Sequence, residues 1–219
     1  MSVDLAREAD HRIANQLTVL VQMLRSQYLQ VGRGPDMLSR DEACDIILDA
    51  MGKVAGIAHL HRVLADHAQA ETIDIGDLLI ALIREVVSSL ALHHRLRVTQ
   101  KLSAGCTVAR DEAQKISLIV VEILMNAIKY AHPTGVPIEM RVACTPTNDG
   151  IMLEFDDDGV GLPEGFNVHL DGGVGFKTIR TLARELGATL QIESDYLGLS
   201  FRLSLPRMSA ATAGSFSAR

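Results

Sequence analysis

The chain has 219 residues, of which 47% are apolar and 22% charged, a length that suits one large domain or two small ones with real cores. Its net charge of −6 argues against nucleic acid as a primary partner, no apolar run reaches the length of a membrane span, and the N-terminus lacks a signal-peptide shape. Cys44, Cys106 and Cys144 have neither metal-ligand nor disulfide spacing, so a cytoplasmic setting is expected.

Residues 4–31 carry a helical pattern. Ile13, Leu17, Leu20, Leu24, Tyr28 and Val31 recur at steps of three and four, the spacing of a coiled-coil seam. At about 100° per residue, His11, Asn15, Thr18 and Gln22 fall opposite that seam. His11 is therefore expected to face solvent from a rigid helix. Gly32-Arg-Gly-Pro-Asp36 is a turn signal. A second helix is predicted over 38–66, with Ala43, Ile47, Ala50, Val54, Ile57 and Leu64 as its seam. Two long helices with a short connection make an antiparallel hairpin. One hairpin cannot cover both seams, so a homodimer paired through a four-helix bundle is expected.

A polar link at 67–72 separates the hairpin from the rest. Residues 73–91 read as an apolar helix opened by Asp74 and Asp77. The segment 95–102 alternates like a strand, and 106–109 reads as another. Asp111 is expected to cap a long helix. Strands are predicted over 136–144 and 150–156, joined by 145–149. A helix over 175–186 follows, then strands at 189–193 and 199–205. Helices on one face of a mixed sheet give an α/β sandwich. The expected fold class is α+β, with the hairpin spanning 1–68 and the sandwich 73–207. The Ser/Ala-rich segment 208–219 has no periodicity and is expected to be disordered.

Two stretches carry chemistry. Asp157-Asp-Gly-Val-Gly161 follows an apolar strand, and Gly172-Gly-Val-Gly175 opens a helix after a short loop. Glycines let the backbone approach a phosphate, and free N–H groups at a helix start suit an anion. Asp157 cannot serve that phosphate, because like charges repel. It accepts a hydrogen bond from a base or sugar, or reaches a metal ion. In the helix before, Glu122, Asn126 and Lys129 are spaced i, i+4, i+7 and share one face. They offer a carboxylate, an amide and an ammonium, which suit a hydrated magnesium ion and a triphosphate. Ile119, Ile123, Leu124 and Ile128 turn to the core. The histidines add no metal cluster built from protein ligands alone. His59 and His61 diverge by about 200° on a helix, and His132 is expected to cap a helix end.

These motifs resemble a known family. Asn126-Ala-Ile-Lys-Tyr-Ala131 is similar to the N box of the ATP-binding domain shared by gyrase, the Hsp90 chaperones, histidine kinases and the mismatch-repair protein MutL. Asp157–Gly161 resembles its first glycine box, and Gly173-Val-Gly175 its second. The run Arg180-Thr-Leu-Ala-Arg-Glu-Leu186 and the short loop before Gly172 most resemble histidine kinases of the HWE type and their close relatives. Glu8-Ala-Asp-His-Arg-Ile-Ala-Asn-Gln-Leu17 looks like their phosphoacceptor box.

The resemblance implies an ATP-dependent protein histidine kinase of two-component signalling. ATP and magnesium are its implied cofactors, with adenine against Asp157, the loop of Gly159 and Gly161 close by, and magnesium near Asn126 and Glu122. Lys129 and the backbone around Gly173 and Gly175 would contact the phosphates. His11 is the implied phosphoacceptor, a task that suits a neutral imidazole, assisted by Asp10 and Asn15. The phosphoryl group would then pass to an aspartate of a response-regulator receiver domain.

Two positions depart from the pattern. Leu199 stands where similar kinases often place a threonine hydroxyl on the adenine-binding aspartate, a loss of roughly 1 kcal/mol. The chain has no tryptophan, so it lacks the Trp-x-Glu element of the HWE group and fits as its sister. A second reading therefore stands beside the kinase: a histidine phosphotransferase, a relay whose nucleotide domain has decayed into scaffolding. An anti-sigma serine kinase of the same superfamily leaves the hairpin and His11 unexplained.

Overall fold

The computed structural model describes residues 37–66, 70–132, 136–168 and 170–207, together with 18, 20–22, 24, 25, 28, 29, 31 and 32. The helical residues between 18 and 31 include Leu20, which packs beside Ile57 and Leu118. Ile13 and Leu17 of the expected seam lie outside the described residues, as do His67, His169 and the segment 208–219. Among the described residues no helix is long and apolar enough to cross a membrane.

Helix α1 (Arg40–Asp66) starts at a reciprocal cap. The Glu42 N–H donates to Ser39 Oγ at 3.2 Å, and the Ser39 N–H donates to Glu42 Oε2 at 2.8 Å, the capping-box arrangement. The face that α1 buries is not the whole of the expected seam. Ile57 and Leu60 are buried, but Ile47 and Val54 are exposed along with Met51. In their place Gly52, Lys53 and Gly56 turn inward. The reason is closeness. A Cβ at Gly52 would press on the Met125 side chain, and one at Gly56 would strike Val121, so the two glycines let α1 approach this near without displacing either.

A short strand, β1 (Thr72–Asp74), leads into α2 (Ile75–Ser89). Asp74 caps α2 by accepting the Asp77 N–H at 3.1 Å. Asp74→Ala is expected to lower stability by about 1 kcal/mol, read as a lower midpoint in urea unfolding. An unchanged midpoint would show the cap to be idle.

β2 (Leu96–Leu102) and β3 (Thr107–Ala109) precede the long helix α3 (Arg110–Tyr130). Asp111 is not its cap. Glu112 reaches back instead, its Oε2 accepting the Ala109 N–H at 2.9 Å, because the third helical position is the one whose carboxylate can fold over the helix start. β4 (Ile138–Thr147) and β5 (Gly150–Asp157) form a tight hairpin. The expected connection of five residues shrinks to Asn148 and Asp149. Pro146 sits inside β4 because β2 pairs only as far as Cys144, leaving the proline on an open edge. Helix α4 (Val174–Glu185), β6 (Thr189–Asp195) and β7 (Gly198–Pro206) complete the chain.

The strand order is β2-β4-β5-β7-β6, with β2 parallel to β4 and every other pair antiparallel. Helices α2, α3 and α4 pack on one face of this sheet. Leu79, Ile116, Ile119 and Leu124 meet Val142, Leu153, Phe155 and Phe201 in one core. The opposite face is polar, with Arg141 on Asp156 and Arg202 on Glu193 and Glu154. The result is a two-layer sandwich, with α1 packed on the outside of α2 and α3.

A nucleotide-type cavity between the N-box helix and the glycine loops

The last strand of the hairpin and the buried face of α3 end at the same place. A cavity of about 750 Å³ opens there, within the range of small-ligand sites. Glu122, Asn126 and Lys129 form one side, and Asp157 stands at the end of β5. Gly161, Gly173 and Gly175 line the loops opposite. Gly159 stands behind the wall, where a Cβ would lie 2.5 Å from Ala131 Cα. His11, Asp10 and Asn15 lie outside the described residues.

Asp157 is held from below. Its Oδ1 accepts the Gly159 N–H at 2.9 Å and the Leu199 N–H at 3.3 Å. Burial raises its pKa, and those two amides oppose the rise. Among the described residues its second oxygen has no hydrogen-bond partner. The sequence alone suggests an aspartate weakened by Leu199. In the structure the backbone amide at that position supports the carboxylate, which a residue-by-residue comparison of side chains cannot reveal.

Glu122 is buried, 1% exposed. Desolvation raises its pKa, and the Lys53 ammonium pulls the other way. Lys53 Nζ lies 3.2 Å from Glu122 Oε1 and 2.8 Å from Asp49 Oδ2. The Glu122 contact is an ion pair rather than an aligned hydrogen bond, since Oε1 has no hydrogen-bond partner. Asn126 Nδ2 is likewise buried and unpartnered. Gly175 closes this corner, where a Cβ would lie 2.8 Å from Glu122 Oε2 and 3.4 Å from Asn126 Oδ1. Glycine is thus required by approach, not by turn geometry.

The start of α4 is open. Gly173 caps it without any side-chain hydrogen bond, so its first N–H groups are left for an anion. The loop before it is tied down: Arg180 Nη1 donates to Val168 O at 2.8 Å and to Asp171 O at 3.0 Å. Phe166 packs on Phe176 with ring centroids 5.5 Å apart, and Phe176 on Phe201 at 5.8 Å. Gly161 has φ +68°, and a Cβ there would strike the Asp195 carbonyl, so the first glycine loop is pinned against the β6–β7 turn.

His132 is not a helix cap. Its Nε2 lies 3.0 Å from Asp158 Oδ1, and the same oxygen accepts the Glu139 N–H at 2.9 Å. His59 is buried with Nε2 unpartnered, and desolvation lowers its pKa. No group of three or more potential metal ligands occurs among the described residues. The oxygens of Glu122 and Asn126 nonetheless suit a hard cation, and the unsatisfied amide of Asn126 marks the corner where a ligand would complete it.

Lys53 and Asp49 line the cavity beside Glu122, and sequence reasoning did not single them out. An i, i+4 pair of opposite charges normally reads as a solvated face. The signal was the company it keeps, since Ala50, Gly52, Ala55 and Gly56 surround it with small residues.

A helix-on-sheet sandwich with an amide-bearing helix facing an uncapped glycine-rich helix start defines an ATP-binding domain. Residues 111–209 match the family of histidine kinase-, DNA gyrase B- and HSP90-like ATPases, and residues 8–90 match a histidine kinase family, HisKA_2. The chain thus carries a histidine kinase HisKA_2 domain followed by an ATPase domain of the histidine kinase, gyrase B and HSP90 type. It is 28% identical over 206 residues to blue-light-activated histidine kinase 2 of Erythrobacter litoralis, covering 91% of this chain and 56% of that protein. It is 24% identical over 188 residues to the sensor histidine kinase PdtaS of Mycobacterium tuberculosis, covering 84% of this chain and 35% of that one. The chain thus spans between about a third and just over half of these relatives. The fold matches the histidine kinase domain of the E. litoralis EL346 blue-light-activated kinase with a TM-score of 0.64, at 22% identity, over 93% of this chain and 94% of that one.

Proposed function

We propose that this chain binds ATP with magnesium, transfers the γ-phosphoryl group to His11, and passes it on to an aspartate of a response-regulator receiver domain. The observation that carries this reading is the corner where Glu122, Asn126 and Gly175 meet beside the uncapped start of α4. A decayed scaffold has no physical need for an unpartnered buried amide at that place. Leu199, the main support for the relay reading, weighs less once its backbone amide is seen to hold Asp157.

Each residue has a role in this proposal. Asp157 receives a donor of the adenine, its carboxylate fixed by Gly159 and Leu199. Lys129 and the N–H groups following Gly173 neutralise phosphate charge. Asn126 and Glu122 hold the cation, which supplies charge neutralisation at the phosphates when bound. Asp10 and Asn15 assist His11. Transfer is then chiefly a matter of positioning and electrostatics. The hairpin pairs with that of a second copy, and the exposed Ile47, Met51 and Val54, at i, i+4 and i+7, are the stripe on α1 available for it. The thiols Cys44, Cys106 and Cys144 are all free, which suits a cytoplasmic setting.

Incubation with γ-labelled ATP and magnesium tests the reading. Acid-labile label is expected on the wild-type chain, with none in His11→Ala and none after chelation of the metal. Acid-stable label, or label that persists in His11→Ala, would overturn it. Absence of both label and nucleotide affinity would favour the relay.

A further inference from the structure

We propose that α1 is a releasable latch on the nucleotide cavity: docked through Gly52 and Gly56, it places Lys53 between Asp49 and Glu122, and nucleotide loading displaces it. The proposal rests on the ATP-binding reading and concerns what that cavity holds before nucleotide arrives.

A permanent helix–helix contact is normally built from interlocking apolar side chains. The centre of this one is different. Its closest approach comes from two glycines four residues apart, which meet Met125 and Val121 of α3. Between them Lys53 is 2% exposed and shared by two carboxylates, one on its own helix and one on α3. Burying three such charges costs desolvation that the ion pairs barely offset, so the contact is poorly suited to act as a stability device. It is well suited to come apart, because water and a metal ion can take over each charge.

The same face of α1 is hostile to phosphate. Glu42, Asp45 and Asp49, spaced i, i+3 and i+7, line the cavity wall. Asp49 also draws Lys129, whose Nζ lies 3.9 Å from Oδ1. Lys53 and Lys129 are the lysines that line this cavity, and in the docked arrangement both face carboxylates. A triphosphate entering this space meets three added carboxylates against the one added ammonium of Lys53, and finds both lysines already engaged. Glu122, the carboxylate suited to a hard cation, is engaged as well.

Because binding linkage is reciprocal, whatever undocks α1 must tighten nucleotide binding by the same factor by which nucleotide loosens α1. Two substitutions test this. Gly56→Leu forces α1 away from Val121 without altering a charge, and Lys53→Met leaves Asp49 and Glu122 facing each other with no cation between. The measurements are titration with a fluorescent ATP analogue plus magnesium, and amide hydrogen exchange over 40–66. In the wild type, nucleotide is expected to speed exchange in α1. Both variants are expected to exchange rapidly there without nucleotide and to bind about 10-fold tighter, within the usual range of such couplings. Wild-type binding equal to or tighter than that of both variants, or exchange in α1 that nucleotide slows or leaves unchanged, would overturn the latch alone. If neither the wild type nor either variant binds nucleotide, the ATP reading falls and the latch falls with it. Should one variant fail to fold, the other and the wild-type exchange experiment still decide.

Discussion

Asp157→Ala is expected to weaken ATP binding by about 10- to 100-fold, the equivalent of losing one hydrogen bond to a charged group. Two effects add in the same direction. The ligand loses its acceptor, and the Gly159 and Leu199 amides lose the oxygen that orders the first glycine loop. Asp157→Asn keeps an acceptor for those amides but turns an NH2 donor toward the adenine donor, so it should spare the loop and still lose affinity comparably. Calorimetric titration with ATP and magnesium measures both. Wild-type affinity in Asp157→Ala would mean that the nucleotide, if it binds, does so without this carboxylate.

The second large effect concerns the core behind the same cavity, where Phe201 packs on the cavity-lining Phe176. Phe201 is 2% exposed on β7, paired with Phe155 across the sheet and in ring contact with Phe176. Phe201→Ala is expected to cost roughly 3–5 kcal/mol, a large-to-small change in a packed core. That is a large share of a typical domain's 5–15 kcal/mol, so much of the variant should be unfolded near body temperature. Phe166→Ala, on the partly exposed loop above, should cost far less while still loosening the cavity wall. Equal losses of stability in the two would contradict the layered packing described here.

The sandwich was legible where local chemistry is strong. The apolar run from Ile116 to Ile128 and the alternating strands β4, β5 and β7 encode their own burial. The corner of Glu122 and Asn126 was legible too, because i and i+4 on a helix fix a common face whatever surrounds it. What could not be read depends on partners distant in sequence. Leu199 looked like a lost hydroxyl, but its backbone is invisible to side-chain comparison. His132 looked like a cap because its partner, Asp158, is 26 residues away. Lys53 went unremarked because burial of an ion pair is decided by α3, not by α1. The cap of α3 differs in kind: both Asp111 and Glu112 are acidic, and only their position relative to the Ala109 N–H separates them.

The most direct measurement is to locate the phosphoryl group by tandem mass spectrometry at neutral pH after incubation with ATP and magnesium. It is expected on the imidazole of His11, and at roughly 10- to 100-fold lower yield at sub-saturating ATP in a chain carrying Asp157→Ala. A phosphoryl group on a serine or an aspartate, or on His11 at the same yield with or without Asp157, would contradict a site in which this cavity and that histidine work together.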